Sequence, residues 1–499
     1  MNLDTPEGAF GLASLVLLLA LVAVRLSRRF GTPTLLLYLG IGLVLGIDQF
    51  GLDLTDTLLT EQLGFVALVF ILAEGGLTTR WENVRPALGL GISLATVSVV
   101  VSIAVAGLGV HLLLGFDWRT SLLWGAVLSS TDAAAVFSVL RGVGVKPRLS
   151  AALELESGLN DAPVVIAVLL LAGTEEITWL SPLLVIWELI VGALIGAAIG
   201  FAGAWLLRRE ALPAAGLYPL ATIALIGGAY AVGTFAHASG FLATYVAAVI
   251  LGNSRLPHRA STLSFAEGLG WLAQIGLFVL LGLYVDPSRL PEALIPGILI
   301  GLIVLLVARP LSVVAAALPF RLPWREQAFL SWSGLRGAVP IVLAMIPLMN
   351  GLPTALLLLD VIVVVVVIYT LLQGTSLPWV ARKLGVIQSG QALEVQLEAA
   401  PLEEMHAHVL QVTIPEGSKM HGVYISQLRL PSPTTIALLL RDGEPVTVTA
   451  NVRLQSGDQL LVVAPERVRS ATEKRLRAIG RGGPLANWFG ERGDPTPAE

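Results

Sequence analysis

The sequence contains no cysteine and few charged residues, and both shortages narrow what the protein can be. Without cysteine it can form no disulfide, no thiolate metal site and no cysteine nucleophile. Charged residues make up 13% of the chain, against roughly 25% in soluble domains. Together with a mean hydropathy of +0.81, this indicates that most of the chain is surrounded by the lipid bilayer.

Other absences exclude whole classes of function. The net charge of −4 gives no sign of nucleic-acid binding, and the six histidines show no metal-ligand spacing. No HExxH motif occurs, and no GxSxG motif lies in the apolar region, so we predict that the protein is not an enzyme and has no resident cofactor. The first apolar stretch follows Asp4 and Glu7 without a basic region, so no signal peptide is expected.

Apolar stretches of about 20 residues recur from Phe10 to Val380. We count thirteen, of which the ninth is short. The loops after the odd-numbered spans carry fourteen Lys and Arg residues, whereas the opposite loops carry only Arg119 and Arg289. By the positive-inside rule, this bias predicts a multi-pass protein of the cytoplasmic membrane, with its N-terminus outside and its C-terminus in the cytoplasm.

The composition divides the chain into four parts. Residues 1–385 are predicted to form the membrane domain, residues 386–404 a polar linker, residues 405–470 a small soluble α+β domain, and residues 471–499 a charged helix with a disordered tail. Strands of the soluble domain are expected at His408–Ile414, Thr434–Leu440, Pro445–Ala450 and Gln459–Val463.

Three spans carry polar clusters near their middles, although a charge at the bilayer centre costs roughly 2.5–3.5 kcal/mol on insertion scales. Because span 5 runs inward and spans 6 and 12 run outward, Asp132, Asp161 and Arg336 can meet at similar depth. The clusters are "SSTDAAAV" (Ser129 to Val136), "ESGLNDAP" (Glu156 to Pro163) and "SWSGLRGAVP" (Ser331 to Pro340).

In span 6, read as a helix, Ser157 and Asp161 share one face, and Glu156 and Asn160 share the adjacent strip. Spans 5 and 12 contain residues that favour a local break in the helix. Non-helical backbone at membrane depth is tolerated only where it lines a cavity or is buried in protein. Discontinuous helices at the midplane are the usual substrate site of secondary transporters.

Carboxylate, hydroxyl and carbonyl oxygens together suit a hard cation stripped of its water. A carboxylate such as Asp161 with little water around it needs either a proton or a cation to compensate its charge, and the two compete. When a cation and a proton compete for one carboxylate that is open to the two sides of the membrane in turn, the result is antiport. Arg336 cannot lose its proton, so we expect it to pair with Glu156 or Asp132, preferably Glu156. Arg309 is expected to snorkel or to kink span 11.

The stretches "FILAEGGL", "SSTDAAAV", "ESGLNDAPV", "SGFLATYVAAVILGN" and "SGLRGAVPIVLA" resemble the monovalent cation:proton antiporter family, in its NhaP-like branch related to sodium–proton exchangers. The resemblance covers about 380 residues in matching order. It implies a polytopic α-helical membrane protein with about thirteen spans in two inverted repeats, crossed and broken helices in spans 5 and 12, a homodimer, and an elevator-like movement.

The same resemblance implies roles for residues in the ion site. Asp161 would bind the cation and the proton, Thr131 would supply a backbone carbonyl, and Ser157 and Asp132 would complete the cage. Asn160 stands where electrogenic relatives have a second aspartate, so electroneutral exchange of one cation for one proton is expected.

The resemblance also places residues around the ion site. Glu156 with Arg336 matches the structural ion pair of the family, and Glu74 would lie in the cytoplasmic approach. From its position on span 6, Glu154 is interpreted as an acid of the same cytoplasmic funnel or of the surface.

The stretch "VLQVTIPEGSKMHGVYISQLRLPSPTTIALLLRDGEPVTVTANVRLQSGDQLLVVAP" resembles a TrkA-C (RCK C-terminal) domain. The resemblance implies a regulatory domain that binds a small molecule, with a nucleotide as one candidate. It favours K⁺ as the exchanged cation, with Na⁺ or Li⁺ as the alternative. A ligand-gated cation channel is the alternative from another class, but the sequence has no TVGYG-like filter.

Overall fold

The computed structural model of the protein describes residues 6–30, 34–46, 57–132, 136, 144–173, 177–178, 180–337, 339–387, 407–415 and 417–483. The chain divides into two compact units. One comprises Met1–Arg141 and Val145–Val386, and the other comprises Gly142–Gly144 and Ile387–Glu499.

The first unit is helical in its described residues. Its helices are α1 (Pro6–Phe30), α2 (Thr34–Leu45), α3 (Thr57–Thr78), α4 (Trp81–Val84), α5 (Leu88–Leu114), α6 (Trp118–Val127), α7 (Pro147–Ala172), α8 (Ser181–Arg209), α9 (Leu217–Phe235), α10 (Gly240–Asn253), α11 (Arg259–Tyr284), α12 (Leu290–Ile303), α13 (Arg309–Ala317), α14 (Trp324–Trp332), α15 (Val339–Met349) and α16 (Ala355–Leu384).

The helices have the length and the surface of membrane spans. Within the described ranges, nine segments are long and apolar enough to cross a bilayer, and α2, α10 and α15 are shorter apolar helices. Large apolar side chains cover the outer face of α8, where Trp187 and Leu194 are each 63% exposed. Such a face is stable in lipid rather than in water. The first unit is therefore a polytopic helical membrane domain, as predicted.

Two of the predicted spans are interrupted at their polar clusters. In span 5, α6 ends at Val127 and residues 128–132 are not helical. In span 12, α14 ends at Trp332, residues 334–337 are not helical, and α15 begins at Val339. Ser, Thr and Asp side chains compete with helical hydrogen bonds and Gly weakens a helix. The predicted breaks are confirmed; the remainder of span 5 (133–135 and 137–143) lies outside the described residues.

Span 11 contains a π-helical turn over Val304–Ala308, between α12 and α13. Pro310 follows one residue into α13. Proline offers no amide hydrogen to the preceding turn, and a π turn inserts a residue that shifts the side chains after it around the helix axis. Arg309 is the first residue after this local change in winding.

The second unit is a four-stranded antiparallel sheet with one long helix. The strands are β1 (Ala407–Thr413), β2 (Thr435–Arg441), β3 (Glu444–Val446) and β4 (Gln459–Pro465), in the order β1-β4-β2-β3, followed by α17 (Glu466–Gly482). The four strands lie where they were predicted, but β3 is shorter than expected. Asp442 and Gly443 both have positive φ, as a two-residue hairpin between β2 and β3 requires.

The helix α17 is part of the domain core, and this corrects the predicted boundary at residue 470. Val468, Leu476 and Ile479 of α17 pack into the same apolar cluster as Leu460 and Val462 of β4. An amphipathic helix is stabilised by burying its apolar side, so its charged sequence did not make it a separate segment. Most of the predicted linker (388–404) and most of the tail (484–499) lie outside the described residues.

An ion pair fixes the turn before β4. Asp458 is fully buried and accepts hydrogen bonds from Arg441 Nε and Nη2, each at 2.8 Å, and from the Gln455 amide. These hydrogen bonds raise the pKa of Arg441 above its ordinary value. A bidentate pair of this geometry ties β2 to the loop that leads into β4.

Candidate functional site

The two helix interruptions contact each other through the backbone. The Asp132 amide donates to the Leu335 carbonyl at 2.9 Å. The Asp132 side chain lies against Gly337, where a Cβ atom would overlap its carboxylate. Gly337 shortly precedes α15, and the partial positive charge of a helix N-terminus favours a carboxylate there. The sequence predicted that these clusters would meet, and the structure brings Asp132 and Arg336 into the same crossing.

Arg336 stabilises the interruption of span 5. Its guanidinium, on a side chain with 1% exposure, donates to the Ser129 carbonyl at 2.9 Å and to the Ser130 carbonyl. These carbonyls follow the C-terminal end of α6, where backbone oxygens lack helical partners and attract positive charge. Arg336, which lies in the interruption of span 12, therefore satisfies the free backbone carbonyls after α6 in span 5.

Glu156 pairs with Arg309, and the prediction that it pairs with Arg336 is wrong. Arg309 Nη1 and Nη2 donate to the two carboxylate oxygens of Glu156, the second at 3.0 Å. Both side chains are at most 5% exposed. Arg309 also donates to the Leu330 carbonyl at 3.1 Å, so the expectation that it snorkels to the interface is wrong as well. Each member of this buried pair compensates the charge of the other, so loss of either would leave an uncompensated charge in the protein interior.

Asp161 lies beside the crossing, and its carboxylate is held from span 5. It is 6% exposed and accepts a hydrogen bond from Ser130 Oγ at 2.8 Å. Asp132 lies two residues after Ser130 in the same interruption of span 5. Sequence reasoning had not assigned Ser130 to the site. Its position beside Thr131 and Asp132 was the available signal, but a serine in a span usually serves packing.

Asn160 and Thr131 form a second layer next to Asp161. Asn160 Nδ2 donates to Thr131 Oγ1 at 2.7 Å, and Thr131 Oγ1 lies 3.4 Å from Glu156 Oε1. Asn160 is 1% exposed, and its Oδ1 atom has no hydrogen-bond partner within the described residues. A buried amide oxygen without a donor is costly, and a bound cation would satisfy it.

The predicted ion-site residues therefore occupy one region around Asp161. Ser157 lies one helical turn from Asp161 on α7 and is partly buried. The region offers carboxylate, hydroxyl and amide oxygens, which suit a hard cation. The guanidiniums of Arg309 and Arg336 bind Glu156 and backbone carbonyls, which leaves the Asp161 carboxylate with hydroxyl and carboxyl neighbours.

The two predicted funnel acids lie in different surroundings. Glu74 on α3 is partly buried and packs against Gly270 of α11. Glu154 lies near the start of α7, where its Oε1 atom is 2.6 Å from Thr79 Oγ1. The role of these two acids in a cytoplasmic funnel stays a prediction.

Both ends of α7, which carries Asp161, are tied to the interrupted spans. At the far end, Arg119 of α6 donates to the carbonyls of Leu170, Leu171 and Gly173. At the near end, Lys146 caps the helix and forms an ion pair of 2.8 Å with Glu326 of α14. These contacts hold α7 in register with the crossing that surrounds its carboxylate.

The chain matches two family models. Residues 15–383 match the model described as the transmembrane sodium/hydrogen exchanger, and residues 409–477 match the TrkA-C domain. The first match covers the helices of the membrane domain, and the second covers the sheet and most of α17.

Two relatives extend the match over most of the chain. The chain is 37% identical to the K(+)/H(+) antiporter NhaP of Alkalimonas amylolytica, over 89% of the chain and 79% of that protein. It is 34% identical to the K(+)/H(+) antiporter NhaP2 of Shewanella baltica (strain OS223), over 98% of the chain and 87% of that protein.

A solved structure has the same fold. It is the sodium proton antiporter MjNhaP1 from Methanocaldococcus jannaschii at pH 8, with a TM-score of 0.65 and 20% identity, covering 75% of this chain and 98% of its own. The family match, which spans the described site, and the relatives lead to one conclusion. The chain belongs to the sodium/hydrogen exchanger family of membrane transport proteins and carries a TrkA-C domain after its membrane domain.

Proposed function

We propose that the protein exchanges a monovalent cation for a proton at Asp161. The observation that carries the proposal is a buried carboxylate at the crossing of two interrupted helices, adjoining Asn160, whose Oδ1 atom has no hydrogen-bond partner in the part of the chain that the structure describes. A carboxylate that is shielded from water is stabilised by one positive charge, carried either by a proton or by a cation. Alternating access to such a site converts this competition into antiport.

The exchanged cation in this proposal is K⁺. The two relatives at 34–37% identity are K⁺/H⁺ antiporters by name, and the TrkA-C domain is the second argument. Na⁺ or Li⁺ is the alternative, favoured by the name of the structural neighbour. Carboxylate and carbonyl oxygens accept all of these ions, so selectivity depends on cage size and ligand number.

The exchange is electroneutral in this proposal. Asn160 is an amide that donates to Thr131 and cannot carry a proton in exchange for a cation. Glu156 is neutralised by Arg309 in a buried ion pair. Among the residues of span 6 around the site, Asp161 is then the one acid left to alternate between cation and proton.

The organisation in the membrane is part of the proposal. The N-terminus lies outside the cell and the C-terminal domain lies in the cytoplasm, as the Lys and Arg bias of the loops indicates. The protein works as a homodimer in the cell membrane, and its TrkA-C domain regulates transport through a small molecule, with a nucleotide as one candidate.

The test is cation-dependent proton flux with purified protein in liposomes containing a pH-sensitive dye. K⁺, Na⁺, Li⁺ and Rb⁺ are compared at matched concentrations. The proposal expects saturable proton release by K⁺ that does not respond to an imposed membrane potential. A flux that depends on membrane potential would contradict the 1:1 exchange, and a K⁺ conductance without proton movement would favour the channel.

The variant Asp161→Asn should lose exchange, because an amide cannot take up and release the proton. Asp360→Asn is the matched control, since Asp360 is another buried aspartate in a span, paired with Arg289 at 3.2 Å instead. If Asp161→Asn exchanges cation and proton as well as the wild type does, Asp161 is not the exchanging acid.

A further inference from the structure

One stripe of α7 leads from Asp161 towards the start of the helix. Glu154, Ser157, Gly158 and Asp161 are spaced so that they lie on one side of the helix. Glu154 is seven residues before Asp161, about 10 Å along the axis. In the proposed orientation this stripe points to the cytoplasm, so it lies on the cytoplasmic side of the exchange site.

The Glu154 end of the stripe is held by the segment that follows α3. Thr79 is 1% exposed, and its hydroxyl lies 2.6 Å from Glu154 Oε1 and 2.8 Å from the Gly75 carbonyl. A hydroxyl has one proton to donate and can also accept. The same arrangement therefore suits an ionised Glu154, which accepts from Thr79, and a protonated one, which donates to Thr79 while Thr79 donates to Gly75.

The next position along the stripe is held by α10. The ring of Tyr245 lies so close to Gly158 that a Cβ atom there would overlap it. The Tyr245 hydroxyl is buried against Gly158, one helical turn after Glu154 on α7. It makes no hydrogen bond of ordinary geometry within the described residues. Gly158 is thus required for the close approach of α7 and α10.

Protonation of Glu154 changes how well this contact is satisfied. A protonated Glu154 completes the chain of hydrogen bonds from its own hydroxyl through Thr79 to Gly75. Among the described residues, an ionised Glu154 has hydroxyl neighbours and no cation, and a partly buried carboxylate is solvated less well than one in water. Ionisation therefore favours exposure of Glu154 to cytoplasmic water, with the proton passing to that water.

Tyr245 of α10 is the titratable residue that packs against this stripe, at Gly158. The other titratable or charged groups on elements packed against α7 are exposed, have other neighbours or lie at the far end of their helix: Glu61 (at the opposite end of α3 from Thr79), Glu74 (on Gly270), Glu82, Arg85, Arg209 and Arg325 (exposed), His111 (with Phe116), Arg119 (with Gly173), Glu188 (near His237), Arg208 (with Ala204) and Glu326 (with Lys146).

We propose that Glu154, Thr79 and Tyr245 form a proton-controlled latch between α7 and the pair α3–α10. The latch is closed while Glu154 is protonated and opens when Glu154 is ionised, which frees α7 to change the access of Asp161. The inference rests on the proposed exchange at Asp161. In this proposal Glu154 controls the position of α7 by gaining and losing a proton, whereas a funnel acid would only attract cations.

The first test measures exchange rates of three variants in liposomes across cytoplasmic pH. Glu154→Gln imitates the protonated acid because its amide donates to Thr79. We expect a maximal rate about tenfold lower, an unchanged half-saturating cation concentration, and one ionisation fewer in the pH profile. Thr79→Val removes the partner, so Glu154→Gln with Thr79→Val should return to within about threefold of wild type. Glu82→Gln is the matched control, an exposed acid nearby.

The results separate the latch from other roles of Glu154. Wild-type rate and pH profile in Glu154→Gln would overturn the proposal. A double variant as slow as Glu154→Gln alone would also overturn it, because the effect would not run through Thr79. If the wild type shows no cation-dependent proton flux, the proposed exchange function is wrong. If the wild type is active, the latch is tested by the rate of each variant relative to the wild-type rate.

A second test uses the absence of cysteine in the chain. Glu154→Cys with Thr79→Cys is bridged by oxidation or by a short bifunctional thiosulfonate, and bridging is quantified by mass spectrometry. The proposal expects loss of exchange in proportion to the bridged fraction and recovery on reduction. The latch would be contradicted if the bridged protein exchanged as fast as the same protein after reduction of the bridge. It would also be contradicted if neither reagent bridged the two cysteines.

Discussion

At the scale of single residues, three charged side chains of the site make three different kinds of interaction. Arg336 satisfies backbone carbonyls at the break of span 5, Arg309 neutralises Glu156, and Asp161 keeps a carboxylate held by Ser130 alone among its described hydrogen bonds. Both guanidiniums are engaged elsewhere, and this is the arrangement that the proposed exchange at Asp161 requires.

The pairing of Arg309 with Glu156 predicts a strong and reciprocal effect on stability. Arg309→Met leaves a buried carboxylate without its partner, which should reduce stability by about 3–5 kcal/mol. Glu156→Gln combined with Arg309→Met should recover much of the loss, since no unpaired charge remains. Thermal unfolding of the purified protein in detergent measures both.

The matched comparison is Arg336→Met, alone and with Glu156→Gln. Arg336 donates to carbonyls rather than to Glu156, so Glu156→Gln should not rescue its loss. Rescue of Arg336→Met but not of Arg309→Met would show that the pairing described here is not the one in the protein.

At the scale of helices, close approach depends on glycines whose absent side chains leave room. Gly192, Gly196 and Gly200 of α8 face α10, and a Cβ atom at Gly196 would lie 2.8 Å from Ala243 Cα. The contacting atoms include backbone, which cannot move aside as a flexible side chain can. The small-residue stripe thus packs within the domain, while the opposite side of α8 presents large apolar residues.

Gly196→Leu should therefore separate α8 from α10 and destabilise the membrane domain by about 1–3 kcal/mol or more. Gly227→Ala in α9 is the control, because nothing lies within 4 Å of a Cβ atom there. It should be neutral or slightly stabilising, as alanine favours a helix over glycine. Unfolding temperatures of the two variants in detergent test the contrast, and equal effects would refute this packing.

At the scale of the whole molecule, transport and its control are assigned to separate units. The residues of the site all belong to the unit that ends at Val386, and the TrkA-C match begins at residue 409. The second unit has its own apolar core, built from the sheet and α17. Exchange and regulation should therefore be separable by deletion.

Deletion of residues 396–499 should leave cation-dependent proton flux in place and change its response to pH or to a regulatory ligand. Size-exclusion chromatography and insertion into liposomes confirm that the truncated protein is folded. Loss of all flux in a folded, inserted truncation would show that the C-terminal domain is required for exchange itself. An unchanged response would remove its regulatory role.

The sequence alone determined the membrane class, the positions of the spans, the sites of both breaks and the sheet domain. These depend on composition, on periodicity and on local competition for backbone hydrogen bonds, which short stretches encode. Only the tertiary structure decided which polar side chains form ion pairs and hydrogen bonds with each other. Glu156 binds Arg309, which follows a π turn in another span, rather than Arg336. Ser130 on Asp161 and Thr79 on Glu154 likewise join residues far apart in sequence, and spacing within one segment carries no information about such contacts.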